Sequence, residues 1–189
     1  EAAGIKPISG SSIRVAFEDD DQSHELLCLA KTNQGHKNLM RIISLAHNNY
    51  NFQTPIIDFA SLTELKDDIV VISGGKDSHI FNLLKRNKTE DAEKRIDQFL
   101  KAFDDDFVLE VQRTNRLDEN EYFANLLPLS SKKGIPLIAT NDVLFSKEED
   151  FDIHETKVCI NTGKTLNDPN REKLFSKEQY FKSSAEMED

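Results

Sequence analysis

No stretch of the 189 residues approaches the ~20 consecutive apolar positions of a membrane-spanning helix, and no leader-like pattern opens the sequence. The reading is a cytoplasmic protein with no membrane partner. Cysteine is scarce: Cys28 and Cys159 both lie in apolar stretches with no CxxC spacing. That excludes a disulfide framework or a zinc ribbon and suits reduced thiols in a core. The five histidines form no HxH or HExxH pair, so no compact metal motif is present. A nucleophile elbow is missing too, since Ser130-Ser131 and Ser183-Ser184 lack any local partner pattern. Basic charge is in deficit: 24 Lys and Arg against 34 Asp and Glu leave a net charge of −10. An acidic domain repels phosphate backbones, which counts against this chain as the main grip on nucleic acid.

What is present is the composition of an ordinary globular domain, with 38% hydrophobic and 31% charged residues. The length is that of one domain, residues 1–189, and is long enough to bury a core without staples. The opening Glu1-Ala2-Ala3-Gly4-Ile5-Lys6-Pro7-Ile8 reads as the end of a helix, a glycine stop and the mouth of a strand. The same grammar returns at Lys132-Lys133-Gly134-Ile135-Pro136-Leu137. A chain that begins in the last turn of a helix is expected to be a segment of a longer one.

Short β-rich runs alternate with helical periods. Strands are expected at Pro7 to Ala16, Leu26 to Ala30, Ile69 to Ile72, Phe107 to Val111 and Leu137 to Ala139. Several are continuous apolar runs, the mark of parallel strands covered on both faces. Leu39, Ile42, Ile43, Ala46 and Tyr50 repeat at helical spacing, as do Ala92, Ile96, Phe99, Leu100 and Phe103. Tyr122, Phe123, Leu126 and Leu127 mark a further helix, which Pro128 should kink or shorten. Capping-box spacings at Ser61/Glu64, Ser146/Glu149 and Ser183/Glu186 predict helix starts. Asn161 to Phe175 reads as a long surface loop. The alternation predicts an α/β fold with a parallel sheet or barrel.

The most conspicuous short motif is Ser73-Gly74-Gly75-Lys76-Asp77-Ser78, directly after a strand. It is not a Walker A loop, because the required first glycine would fall at Val70. It matches the SGGxDS loop of ATP pyrophosphatases, whose backbone N–H groups hold phosphates. The alternative is a strand-to-helix turn capped by Asp77 or Ser78. Two or more strands precede the loop here, whereas in that family it follows the first, which favours the turn. Among the histidines, His24 precedes a strand, where a ligand could project from a barrel rim, and His79 opens a helix. His36 and His47 fall off the apolar face of their helix, and His154 is equally readable as a structural residue or a ligand. Asp142 follows a strand end, where active-site residues of α/β barrels gather, although a turn or N-cap role explains it more simply. Asp104-Asp105-Asp106 reads as a solvated turn rather than a cation site.

The longer blocks say more. Gly4 to Ile8, Leu26 to Leu45 (LLCLAKTNQGHKNLMRIISL), Val71 to Gly75 and Phe107 to Thr114 (FVLEVQRT) follow one known pattern in order. Gly134 to Asp142 (GIPLIATND), His154 to Arg171 and Ser176 to Met187 continue it. With these blocks the chain resembles the PHP (polymerase and histidinol phosphatase) domain family, in the form found at the N-terminus of bacterial DNA polymerase III alpha subunits. The resemblance implies an incomplete (β/α)7 PHP-type barrel, TIM-barrel-like, with the first strands lying outside this sequence.

Metal-binding members of that family hold two or three ions with His, Asp, Glu and Cys ligands. Carried over position by position, those ligands fall at Ser12, Gly75, Thr114 and Leu144, and only His24 and Asp142 keep ligand chemistry. Two ligands are fewer than the three or four a divalent site needs. The resemblance therefore implies vestigial metal positions, no catalytic residues and no cofactor in this chain. Mg²⁺ is implied only in the separate polymerase domain. The role implied is that of a structural and docking domain within a DNA-directed DNA polymerase. Its partners would be the rest of the alpha subunit and the exonuclease (epsilon) subunit, with DNA met only through the full-length protein and self-association as a competing contact. The alternatives are a metal-dependent phosphoesterase of the PHP superfamily and an ATP-pyrophosphatase-type nucleotide binder.

Overall fold

A computed structural model describes residues 4, 6–48, 54–76, 78–116 and 118–188. The first two strands, β1 (Gly10–Ala16) and β2 (Ser23–Ala30), bury alternate residues on one face. Ile13 and Val15 point inward from β1, and His24, Leu26 and Cys28 from β2, as the two-residue period of a strand requires. Only residues 17–22 join them. A connection that short cannot cross over to a parallel neighbour, so the pair is antiparallel, with Val15 opposite His24.

Helix α1 (Asn33–Asn48) follows, its first turn capped by Thr32 Oγ1, which accepts from the N–H groups of Gln34 and Gly35. Gly35 is needed here: a Cβ would sit 2.2 Å from the Asp68 carbonyl oxygen. The apolar face expected of this helix is buried at Leu39, Ile42 and Ala46, while Tyr50 lies outside the described residues. The chain continues through β3 (Ile56–Asp58), α2 (Phe59–Glu64), β4 (Ile69–Ile72), α3 (His79–Lys85) and α4 (Thr89–Phe103). After a 3-10 turn over Asp104–Asp106 come β5 (Phe107–Gln112), α5 (Glu119–Lys133) and β6 (Leu137–Thr140). Two further helices, α6 (Phe151–Thr162) and α7 (Ser184–Glu188), complete the order.

The strands form one mixed sheet in the order β3-β1-β2-β4-β5-β6, an open arrangement of the α/β class expected from the alternation. It fits a partial PHP-type, TIM-barrel-like fold. Within it β1 pairs with β3 and β4 with β5 in parallel, as expected, whereas β2 runs against both β1 and β4. The tight β1–β2 hairpin is the reason.

Other local readings also shift. Pro128 does not end α5, which runs on to Lys133 with Leu126 and Leu129 buried on either side. Their burial offsets the hydrogen bond a mid-helix proline forfeits. Ser61 lies inside α2 rather than at its start. The cap is Asp58, whose side chain accepts from Ser61 N–H at 2.7 Å. The start expected at Ser146 is displaced by one residue, since Lys147 N–H donates to Asp150 Oδ2. The Ser183 box forms as spaced, with Glu186 Oε2 accepting from Ser183 N–H at 2.8 Å. Asn161 and Thr162 belong to the last turn of α6, so the expected loop begins at Gly163, whose φ of 67° closes the helix.

The described residues divide into two compact units: Glu1–Glu110 with Asn125–Leu137, and Val111–Ala124 with Ile138–Asp189. The first is centred on aromatic rings. Phe99 stacks on Phe107 at 4.8 Å and meets Phe17 and Phe59 edge-on at 5.9 and 5.4 Å. Such pairs each add about 0.5–1.5 kcal/mol beyond their burial. The two cysteines are buried free thiols, one in each unit. Burial pushes Cys28 up to about 12.

Candidate functional site

The β1–β2 hairpin brings together the one cluster of metal-ligating side chains found among the described residues: Asp20, His24 and His79. Asp20 is placed by a tight turn in which its N–H donates to the Phe17 carbonyl at 3.2 Å. Its Oδ1 accepts from Gln22 N–H at 2.9 Å, which leaves Oδ2 to face the two rings. His24 Nε2 lies 2.8 Å from Oδ2 and His79 Nε2 3.1 Å, and a carboxylate oxygen can only accept from them. His24 sits on the buried face of β2. His79 is the first residue of α3, behind the cap Ser78, whose Oγ accepts from Phe81 N–H.

The imidazole rings stack nearly parallel, 4.1 Å apart, with the Phe17 ring 5.3 Å from His79. Arg95 lies over Phe17 at 3.8 Å and reaches Asp19 at 2.6 Å, so the neighbouring carboxylate is already matched. Burial, with help from His24 and Arg95, lowers His79 to about 4, against the opposing pull of Asp20 and Asp19. Burial alone would raise Asp20, but the Gln22 N–H and His24 outweigh it and hold the carboxyl below its ordinary value. At neutral pH the carboxylate is therefore charged and the His79 ring neutral. A cavity of about 710 Å³, lined by these three residues and by Arg86, Lys94 and Arg95 among others, opens beside them.

Of these residues the sequence reading had singled out His24 as a ligand position and His79 only as a helix-start residue, which it is. Asp20 was missed. The available signal was the i, i+4 spacing of Asp20 and His24 in the short connection between two expected strands.

Asp142 lies in the second unit, not in this cluster. Two residues beyond β6, it caps no helix. Its Oδ2 accepts from Arg116 Nη1 at 3.0 Å and from Gln179 Nε2 at 2.9 Å. Arg116 also donates to Thr114 Oγ1 at 2.7 Å and Gln112 Oε1 at 3.0 Å, and pairs with Glu119 at 3.4 Å. Glu119 in turn accepts from Thr114 N–H at 2.9 Å and from its hydroxyl. The local positive charge is thus supplied by a guanidinium. Of the other positions matched to family ligands, Ser12 is exposed on β1, Gly75 lies in a turn, Thr114 is buried in the Arg116 network and Leu144 is exposed. Neutral side chains of this kind supply no anionic or imidazole donor, so a multi-ion family cluster does not fit these residues.

The Ser73 to Ser78 turn is occupied by packing. A Cβ on Gly74, whose φ is 82°, would lie 2.6 Å from the Glu25 carbonyl oxygen. Ser73 N–H donates to Val108 O, and Ser73 Oγ accepts from Glu110 N–H. The glycine and serine of the motif thus serve contacts with β2 and β5. Asp77, the motif's acidic residue, lies outside the described residues. His154, on α6, packs between Phe145 and Phe175 at 5.5 and 4.8 Å. His36 and His47 are exposed, and Asp106 of the acidic turn pairs with Lys31 at 2.7 Å.

A family model of the PHP domain matches residues 1–114. Over 187 residues, 98% of the chain, the sequence is 39% identical to the DNA polymerase III subunit alpha of Pasteurella multocida (strain Pm70). It is 39% identical over 97% of the chain to the same subunit of Vibrio cholerae. The identity to that of Escherichia coli (strain K12) is 38% over 98% of the chain. The chain spans only 16% of the length of each of these relatives. The family match covers more than half the sequence and includes the β1–β2 hairpin, β4 and β5, and on that evidence the chain belongs to the PHP domain family.

Proposed function

We propose that this chain is the PHP segment of a bacterial DNA polymerase III alpha subunit and serves template-directed DNA replication as a structural and protein-docking domain. The parent protein would be a DNA-directed DNA polymerase whose Mg²⁺-binding carboxylates lie outside this chain, so the segment by itself would not polymerise DNA. His24 and Asp142 are then vestiges of the family's metal set, of which Asp142 has been taken over by an arginine. The observation that carries this reading is the Arg116 network. A fixed guanidinium occupies Asp142 and Glu119 from within the chain, where a multi-ion hydrolase would keep its carboxylates open to cations.

The net charge of −10 supports protein rather than DNA as the direct ligand. No helix among the described residues is long and apolar enough to cross a membrane. Leu137 and Ile138 are 39% and 36% exposed on β6, at the end of the sheet order. An apolar edge strand of this kind favours cover by another protein surface: the rest of the alpha subunit, the exonuclease subunit or a second copy.

The test is a binding titration of the intact alpha subunit and of this chain against the exonuclease subunit, with primed DNA in parallel and p-nitrophenyl phosphate plus Mn²⁺ as a hydrolysis control. The expected result is exonuclease binding by the alpha subunit, no hydrolysis by the chain, and DNA binding by the chain that vanishes at physiological salt. Turnover of the phosphate ester, or salt-resistant DNA binding by the chain, would refute the docking reading.

A further inference from the structure

We propose that the outer face of α1 is a docking surface for an acidic, amphipathic segment of a partner protein, gripped by Lys37 and Arg41 with Met40 between them. The inference rests on the docking reading and deepens it, assigning that role a surface and a partner chemistry.

The sequence sets this face apart first. From Leu26 to Ile57 there is no Asp or Glu, although the chain carries 34 of them in 189 residues. That span contains α1 and brings to it Lys37 and Arg41. The helix period then sorts the residues. Gly35, Asn38, Leu39, Ile42 and Ala46 are buried. Lys37, Met40, Arg41 and Ser44 recur at i, i+3, i+4 and i+7 on the opposite side, and all four are exposed, Met40 by 56%.

Other cations of the chain are matched from within, such as Lys31 with Asp106 at 2.7 Å and Lys132 with Glu93 at 2.6 Å. Lys37 and Arg41 meet no carboxylate among the described residues. Asp68 reaches the start of α1 through Thr32, but it lies against Gly35, on the buried side of the helix. The stripe therefore keeps its positive charge, on a chain whose net charge is −10.

The dimensions and chemistry of the face select its occupant. Two cations one helical turn apart match carboxylates at i and i+4 of a facing segment, and Met40 supplies an adaptable apolar contact of the kind protein interfaces favour. Helix α1 runs for about 24 Å along its 16 residues. A duplex would extend past both ends, gain little from two cations, and bring its remaining phosphates against an acidic chain. A short segment stays within the stripe, because charges are screened over about 8 Å at physiological salt.

The test is a fluorescence-anisotropy titration of the full chain with a labelled synthetic peptide as long as α1, carrying Glu at i and i+4 around a Leu. The expected result is saturable binding that weakens with added NaCl and falls about 10-fold or more when Lys37→Glu is combined with Arg41→Glu. Lys173→Glu, which reverses an exposed cation of the second unit, should leave binding unchanged. The same peptide with Gln for Glu should bind about 10-fold more weakly, and this arm needs no variant of the chain. No saturable binding, equal binding of the two peptides, or undiminished binding in a folded double variant overturns the proposal. So does labelled duplex DNA held more tightly than the peptide, or a dimerisation that the double variant abolishes, since phosphate or a second copy would then be the occupant. The exonuclease titration tests the docking reading separately, so failure of one is distinguished from failure of the other.

Discussion

Replacing Arg116 by methionine keeps an unbranched apolar stem and removes the guanidinium with its charge, which isolates what that group does. The native group is 10% exposed and meets Glu119, also 10% exposed, and Asp142, 35% exposed. Breaking a buried pair by deleting one partner costs about 3–5 kcal/mol, because the remaining charge is left without compensation. Glu119 keeps its bond from Thr114 N–H, which places its share near the bottom of that range, and Asp142 is open enough to water to add at most about 1 kcal/mol. The expected loss is about 3 kcal/mol. The assay is urea denaturation of the full chain, followed by a probe in the second unit so that a separate transition there is not averaged away. A double-mutant cycle with Glu119→Gln should recover about 2 kcal/mol of the loss, since the amide keeps the shape without the stranded charge. A destabilisation below about 0.5 kcal/mol, or a coupling energy near zero, would refute the claim that an internal cation has replaced the metal's electrostatic role.

Phe99→Ala should cost about 3–5 kcal/mol, because the ring is 1% exposed and joins Phe17, Phe59 and Phe107, and urea midpoints with an unchanged slope would confirm it. Cys28, raised to about 12 by burial on the inward face of β2, should resist a disulfide reagent in the native chain and react only after denaturation. Glu186 is lowered to about 2, first by the Ser183 hydroxyl and N–H and then by Tyr180. Its folded value lies below the unfolded 4.5, so its contribution to α7 is complete above pH 4.5 and fades as pH falls toward 2. Carboxyl NMR titration should show this, and Ser183→Ala should move the midpoint back up. Ser78→Ala removes the cap of α3 and should cost about 1 kcal/mol by thermal or urea melts, with His79 displaced from Asp20.

Five strands and the helices α1, α4 and α5 were legible in the chain, because their signals are local. Alternation over two residues or repetition over 3.6 is written into neighbours within one pleat or one turn, and Leu26–Cys28 or Ile96–Phe99–Phe103 declare themselves without reference to anything distant. The family was legible for the same reason, as ordered blocks of sequence. Strand β3 was not, since three residues carry no period. The direction of β2 is set by the short β1–β2 hairpin, whose pairing no local period expresses. Tertiary structure alone decided the sites. His24 and His79 stand 55 positions apart and meet because Leu27 pairs with Ile72 in antiparallel register, which sets the start of β2 beside the turn that ends β4. Asp142 meets Arg116 because a side chain 26 residues earlier folds back onto the same unit. Proximity of that kind is a property of register and packing, and no periodicity in the chain encodes it.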